Sequence, residues 1–86
     1  MERRWVSSPS YQMAVEQLIE ARKAKGLTQR DVAARLSKPP SFVAKIEVGE
    51  RRVDIIEFIA IARAIGTPEM NLLQALLSSL PAVLEI

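Results

Sequence analysis

The run Leu27 to Gly49, LTQRDVAARLSKPPSFVAKIEVG, decides the fold. Thr28 reads as a helix N-cap with Asp31 three residues on, the spacing of a capping box, and Val32, Ala33 and Leu36 then recur on one face. The helix so predicted is about nine residues long, too short to persist alone in water, so neighbours must hold it. Ser37 and Lys38 form a turn. Pro39-Pro40 bars helical backbone at the residue before each proline yet suits the first turn of a helix, so a second short helix is expected from Pro40 to Val48, stopped at Gly49. Its spacing turns Phe42, Val43 and Ile46 inward and leaves Ser41, Ala44, Lys45 and Val48 outward.

Working outward, the preceding stretch predicts a helix capped by Ser8 or Ser10 and running to Lys25. Tyr11, Val15, Leu18, Ile19 and Arg22 lie on its inner stripe, and Gly26 is its stop. Downstream, Asp54 caps a fourth helix with Glu57 able to reach back, and Ile55, Phe58, Ile59, Ala62 and Ile65 form the expected inner stripe before Gly66. Thr67-Pro68 caps and starts a fifth helix, which ends near Leu80 at Pro81. No apolar alternation of period two persists, so the expected class is all-α, in five helices. At 86 residues the chain has room for one domain: an N-terminal arm over 1–9, helices one to four over 10–66, and a fifth helix with its tail over 67–86.

Composition narrows the function. The chain has no cysteine and no histidine, which removes thiolate nucleophiles, imidazole acid–base chemistry and the usual zinc ligands. Paired carboxylates in a catalytic spacing and a phosphate-cradling glycine loop are also missing from the sequence, so an enzyme is not expected, nor a metal or cofactor. The apolar stretches are broken by Glu57, Arg63, Asn71 and Gln74, so no membrane span is expected, and Met1 to Ser10 lacks a signal-peptide core. A reducing cytoplasm is the expected location. Net charge is +2, but it is unevenly distributed. Between Arg22 and Arg52 stand Arg22, Lys23, Lys25, Arg30, Arg35, Lys38, Lys45, Arg51 and Arg52 against Asp31, Glu47 and Glu50, a local excess of +6, and the remainder carries −4. A basic middle between acidic ends fits one face for a polyanion, or simply a solvated basic surface.

Two short helices joined by a tight turn and flanked by others describe a helix-turn-helix, here over 28–48, in which the first helix braces the second. With Gln29 as first of twenty positions, Ala33 falls fifth, where the helices cross and only a small side chain fits; Val43 and Ile46, fifteenth and eighteenth, are inward. The run Leu27-Thr28-Gln29 through Ala33, Leu36, Phe42, Val43, Ile46-Glu47 and Gly49, followed by Phe58, Ala62 and Gly66, resembles the Cro/CI-type (XRE) helix-turn-helix family of phage and bacterial regulators. The resemblance covers roughly Val15 to Leu73. It departs from the family's pattern at Ser37, where the turn usually has glycine, and at Pro39 and Pro40, where the recognition helix usually opens with polar residues.

The resemblance implies a five-helix, lambda-repressor-like domain, a homodimer and a near-palindromic operator. It implies that Gln29 binds a backbone phosphate, that Arg51 and Arg52 contact phosphates or the minor groove, and that Arg22 and Glu47 form an ion pair tying the first helix to the end of the third. Pro40 has no N–H to give a base but can touch a thymine methyl, so direct readout near the helix start falls to Ser41, with Lys38 and Lys45 able to reach guanines or phosphates and Pro39 and Ala44 also expected at the DNA. The fifth helix and tail carry more leucine than one stripe can bury. Leu72, Leu73, Leu76, Leu77, Leu80, Val83 and Leu84 are therefore expected to form a self-association surface. Arg3, Arg4 and Trp5 form either an arm along DNA or a terminus with Trp5 laid over the fifth helix. The leading expectation is a DNA-binding transcriptional regulator acting as a repressor. The alternatives are an antitoxin, which adds a protein partner, and a helix-turn-helix module serving protein contact alone.

Overall fold

Capping chemistry and glycine stops divide the chain into five helices, α1 (Pro9–Ala24), α2 (Gln29–Arg35), α3 (Pro40–Glu47), α4 (Ile55–Ile65) and α5 (Glu69–Ser79). They are seen in a computed structural model that describes residues 8–86. Arg3, Arg4 and Trp5 lie outside the described residues. No strand occurs among the described residues.

Both predicted capping boxes form. Thr28 accepts from the Asp31 N–H while the Asp31 carboxylate accepts from the Thr28 N–H, and Asp54 and Glu57 do the same at α4. The Thr28 N–H holds the exposed Asp31 carboxyl below the usual carboxylate range. Of the two serines proposed to cap α1, Ser8 does so, accepting from the Tyr11 N–H. Ser10 is instead buried, and its hydroxyl accepts from the backbone N–H of Glu85, which folds the C-terminal tail back onto α1.

Helices α1, α2 and α3 end in the same way. After α2, Ser37 donates to the Ala34 carbonyl and Lys38 to the Ala33 carbonyl; after α3, Gly49 donates to Ile46 and Glu50 to Lys45. This Schellman pattern needs a left-handed residue just past the helix. Gly49 takes it with φ 85° at no steric cost, and Ser37 takes it with φ 57°, the one non-glycine residue with positive φ among those described.

The core gathers Leu18, Val32, Ala33, Val43, Ile46, Ile61, Ala62, Ile65 and Leu72, with Leu27, Leu36, Phe42 and Phe58 packed around it. Ala33 is 0% exposed where α2 crosses α3, as a close helix approach requires. Three expectations need correction. Ile55 does not join the inner stripe of α4 but is 80% exposed, and Ile61 and Ala64 are buried instead. The segment IIEFIAIARAI carries apolar residues on most sides, so its period places Phe58, Ala62 and Ile65 inward but leaves the edges of the stripe open, and packing on α2 and α5 sets them. Thr67 is not the cap of α5: Pro68 occupies that position, with no side-chain capping bond. Leu72 cannot serve a partner surface, because at 1% exposure it fills the chain's own core and α5 must bury one stripe against α1 and α4 before offering another.

Candidate nucleic-acid interface

Helix α3 is anchored through Val43 and Ile46, both buried, so its opposite side faces out. Ser41 and Lys45 are exposed on that side, with Lys38, Pro39 and Pro40 exposed at its start and Ala44 half-buried. Pro39 sits at the N-cap with φ −67° and ψ 154°, the extended geometry that a following proline enforces, and Pro40 is the first helical residue. No side chain caps this end.

The loop after α3 is pinned from three directions. Arg51 makes a two-pronged contact with Glu57, its Nη1 and Nη2 donating at 2.9 and 2.8 Å, and its Nη1 also donates to the Arg52 carbonyl. The Arg51 guanidinium holds the Glu57 carboxyl below its ordinary range, helped by the Asp54 N–H. The same guanidinium lies 4.5 Å from the centre of the Phe42 ring, and the Lys38 ammonium lies 5.5 Å from it. The hydroxyl of Tyr11, from α1, donates to the Arg51 carbonyl at 3.3 Å and accepts from the Val53 N–H at 3.1 Å. The Arg52 guanidinium stands 5.1 Å over the Tyr11 ring.

On the α1 side, Arg22 donates through Nε and Nη2 to the two carboxylate oxygens of Glu47, and through Nη1 to the Leu27 carbonyl. Glu47 also accepts from the side-chain amide of Gln29 at 2.8 Å. Gln29 therefore has one N–H engaged within the chain, which ties the start of α2 to the end of α3. The expected basic face is thus thinner than its composition. Arg22 and Arg51 are neutralised by Glu47 and Glu57, and Arg35 donates to the Ala64 carbonyl near the C-terminus of α4, where a helix dipole favours a cation.

Pro40, Ser41, Ala44 and Lys45 lie on α3 with Lys38 and Pro39 leading into it, Ala44 half-buried and the others exposed, while Arg52 is exposed in the loop that follows, over the Tyr11 ring of α1. Arg51 brackets α3 and α4 through Phe42 and Glu57, with its side chain still 39% exposed. Two contributors escaped sequence reasoning, the hydroxyl of Tyr11 and the carboxylate of Glu57. Tyr11 meets its partners across some forty residues of chain and carries no local signal; Glu57 was visible as a capping residue, but its pairing with Arg51 depends on how the loop closes.

Comparison with known proteins agrees with this geometry. A helix-turn-helix family profile matches residues 18–70. An XRE-family like protein from Pseudomonas syringae pv. tomato str. DC3000 is 49% identical, with a TM-score of 0.76 over 84% of this chain and 88% of that one. The fold is also shared with the clp gene regulator ClgR from C. glutamicum, at 19% identity and a TM-score of 0.75, over 90% of this chain and 100% of that one. A comparison with curated proteins gave no match. No helix among the described residues is long and apolar enough to cross a membrane. The capped α2, the tight turn at Ser37 and the outward side of α3 belong together as one motif, and the chain is a member of the XRE family of helix-turn-helix DNA-binding transcriptional regulators.

Proposed function

We propose that the protein binds double-stranded DNA as a homodimer at a near-palindromic operator, laying α3 in the major groove and repressing transcription by occupying a promoter. The observation that carries this reading is the division of α3, with Val43 and Ile46 buried while Ser41 and Lys45 stand exposed. In this reading Ser41 and Lys45 address base edges, with Pro39, Pro40 and Ala44 against thymine methyls. Lys38, Arg52 and the remaining amide N–H of Gln29 meet phosphates, which gives affinity and salt dependence.

A homodimer is favoured by apolar side chains the chain does not bury itself. Leu73, Leu77, Val83 and Leu84 remain exposed, next to the half-buried Leu76 and Leu80. A two-fold pair would set two recognition helices about 34 Å apart, one turn of B-DNA.

The test is selection of bound fragments from the source genome, followed by binding to the selected site and to a scrambled duplex. Lys45→Ala is expected to lower the ratio of specific to non-specific affinity, and Arg52→Ala to weaken both alike. Equal effects from the two would undo the division of roles. Failure to retard any DNA at low salt would favour a module that contacts protein only.

A further inference from the structure

Tyr11 belongs to α1, yet its hydroxyl is committed to the loop behind α3, donating to the carbonyl of Arg51 and accepting from the N–H of Val53. These two bonds hold the backbone on either side of Arg52. The third contact completes the arrangement, since the Arg52 guanidinium lies 5.1 Å over the ring of the same tyrosine. Residues 51–54 form no helix or strand, so scattered bonds hold this backbone: the Arg51 N–H donates to the Lys45 carbonyl, the Arg51 guanidinium to the Arg52 carbonyl and the Asp54 N–H to Glu57, and the Tyr11 hydroxyl adds the pair that spans Arg52. One side chain thus supplies both the splint for the loop and the platform under its exposed arginine. Filling space between α1 and the loop would need only the ring; the hydroxyl is needed for the splint.

We propose that Tyr11 is a positioning residue for DNA binding, which aims Arg52 at the phosphate backbone flanking α3. The proposal rests on the DNA-binding reading above. By fixing the backbone on either side of Arg52 the hydroxyl keeps its guanidinium over the ring, and an arginine so held loses less side-chain freedom on meeting a phosphate than one that moves freely. Arg51, its neighbour in the chain, is held by Glu57 and Phe42 and steadies the same loop through the Arg52 carbonyl.

The experiment measures binding of a fluorescein-labelled, mixed-sequence duplex by anisotropy across a salt series, for the wild type, Tyr11→Phe, Arg52→Ala and the double variant. Arg52→Ala is expected to lower the slope of log K against log salt by about one, with a several-fold loss of affinity at low salt. Tyr11→Phe keeps the ring and is expected to lose most of the same slope, while the double variant binds no more weakly than Arg52→Ala alone. A wild-type slope in either single variant, or effects that simply add in the double variant, overturns the proposal.

Amide hydrogen exchange separates aiming from folding. In Tyr11→Phe the Val53 amide is expected to exchange faster while the amides of α2 and α3 keep their protection. Protection lost throughout would make Tyr11 a stability residue and overturn the positioning role. A wild-type protein that fails to bind the duplex at low salt would overturn the DNA-binding reading itself, an outcome distinct from all the others.

Discussion

Arg22 on α1 and Glu47 at the end of α3 face each other in a fork, Nε to Oε2 at 2.7 Å and Nη2 to Oε1 at 2.9 Å, with side chains only 11% and 9% exposed. Because Arg22 also serves the Leu27 carbonyl and Glu47 the Gln29 amide, the pair locks α1, the α1–α2 connection, α2 and α3 into one unit. Removing either partner leaves a nearly buried charge uncompensated. Arg22→Ala and Glu47→Ala are each expected to cost about 3–5 kcal/mol in chemical denaturation. Near-native melting temperatures for both would refute the structural role.

Ser37 holds a left-handed conformation where Gly49 holds its counterpart after α3. Ser37→Gly is expected to raise stability by up to about 1 kcal/mol, the strain relieved being partly offset by the freer unfolded chain. A rise in the urea midpoint at constant m-value would show it, and an unchanged or lower midpoint would mean that local packing already removes the strain.

Ala33 is sealed at the crossing of α2 and α3. Ala33→Leu is expected to push the helices apart, costing about 1–3 kcal/mol and displacing the outward side of α3. Thermal unfolding reads the first effect and duplex affinity at a temperature well below the melting point reads the second. A variant that melts and binds as the wild type would show that the crossing has room to spare.

Glu57 carries a carboxyl whose pKa is lowered in the folded state, chiefly by its hydrogen bonds from Arg51. A depressed folded pKa adds stability that is present above the unfolded value, about 4.3, and is lost as pH falls through the lower folded value. Glu57→Gln preserves a side chain able to complete the capping box and removes the charge. The wild type should therefore be the more stable protein near neutrality, and that advantage should shrink as pH is lowered from about 5 to 3. A difference independent of pH would assign the effect of Glu57 to packing instead.

Leu77 lies on the exposed side of α5, 58% accessible. Leu77→Glu should leave the monomer fold intact and shift sedimentation or light scattering toward a monomer, with loss of operator affinity but not of helical content. A wild type that is already monomeric at micromolar concentration would remove the dimer from the proposed mechanism.

What sequence reading reached was local. The caps at Thr28 and Asp54 join residues three apart, and the prolines restrict their immediate neighbours, so each is legible from a handful of letters. Helical period then placed Val32, Ala33, Val43 and Ile46 inward, because those helices carry polar residues on their other sides. In α4, apolar on most sides, the same rule finds Phe58, Ala62 and Ile65 but leaves the edge of the stripe open, and Ile55, inward by period, stands exposed. The fates of Arg51, Tyr11 and Gln29 lay further out of reach. Each is settled by a partner on another element, brought within hydrogen-bonding distance only when the helices pack, and side-chain reach in space has no counterpart in the spacing of letters along the chain.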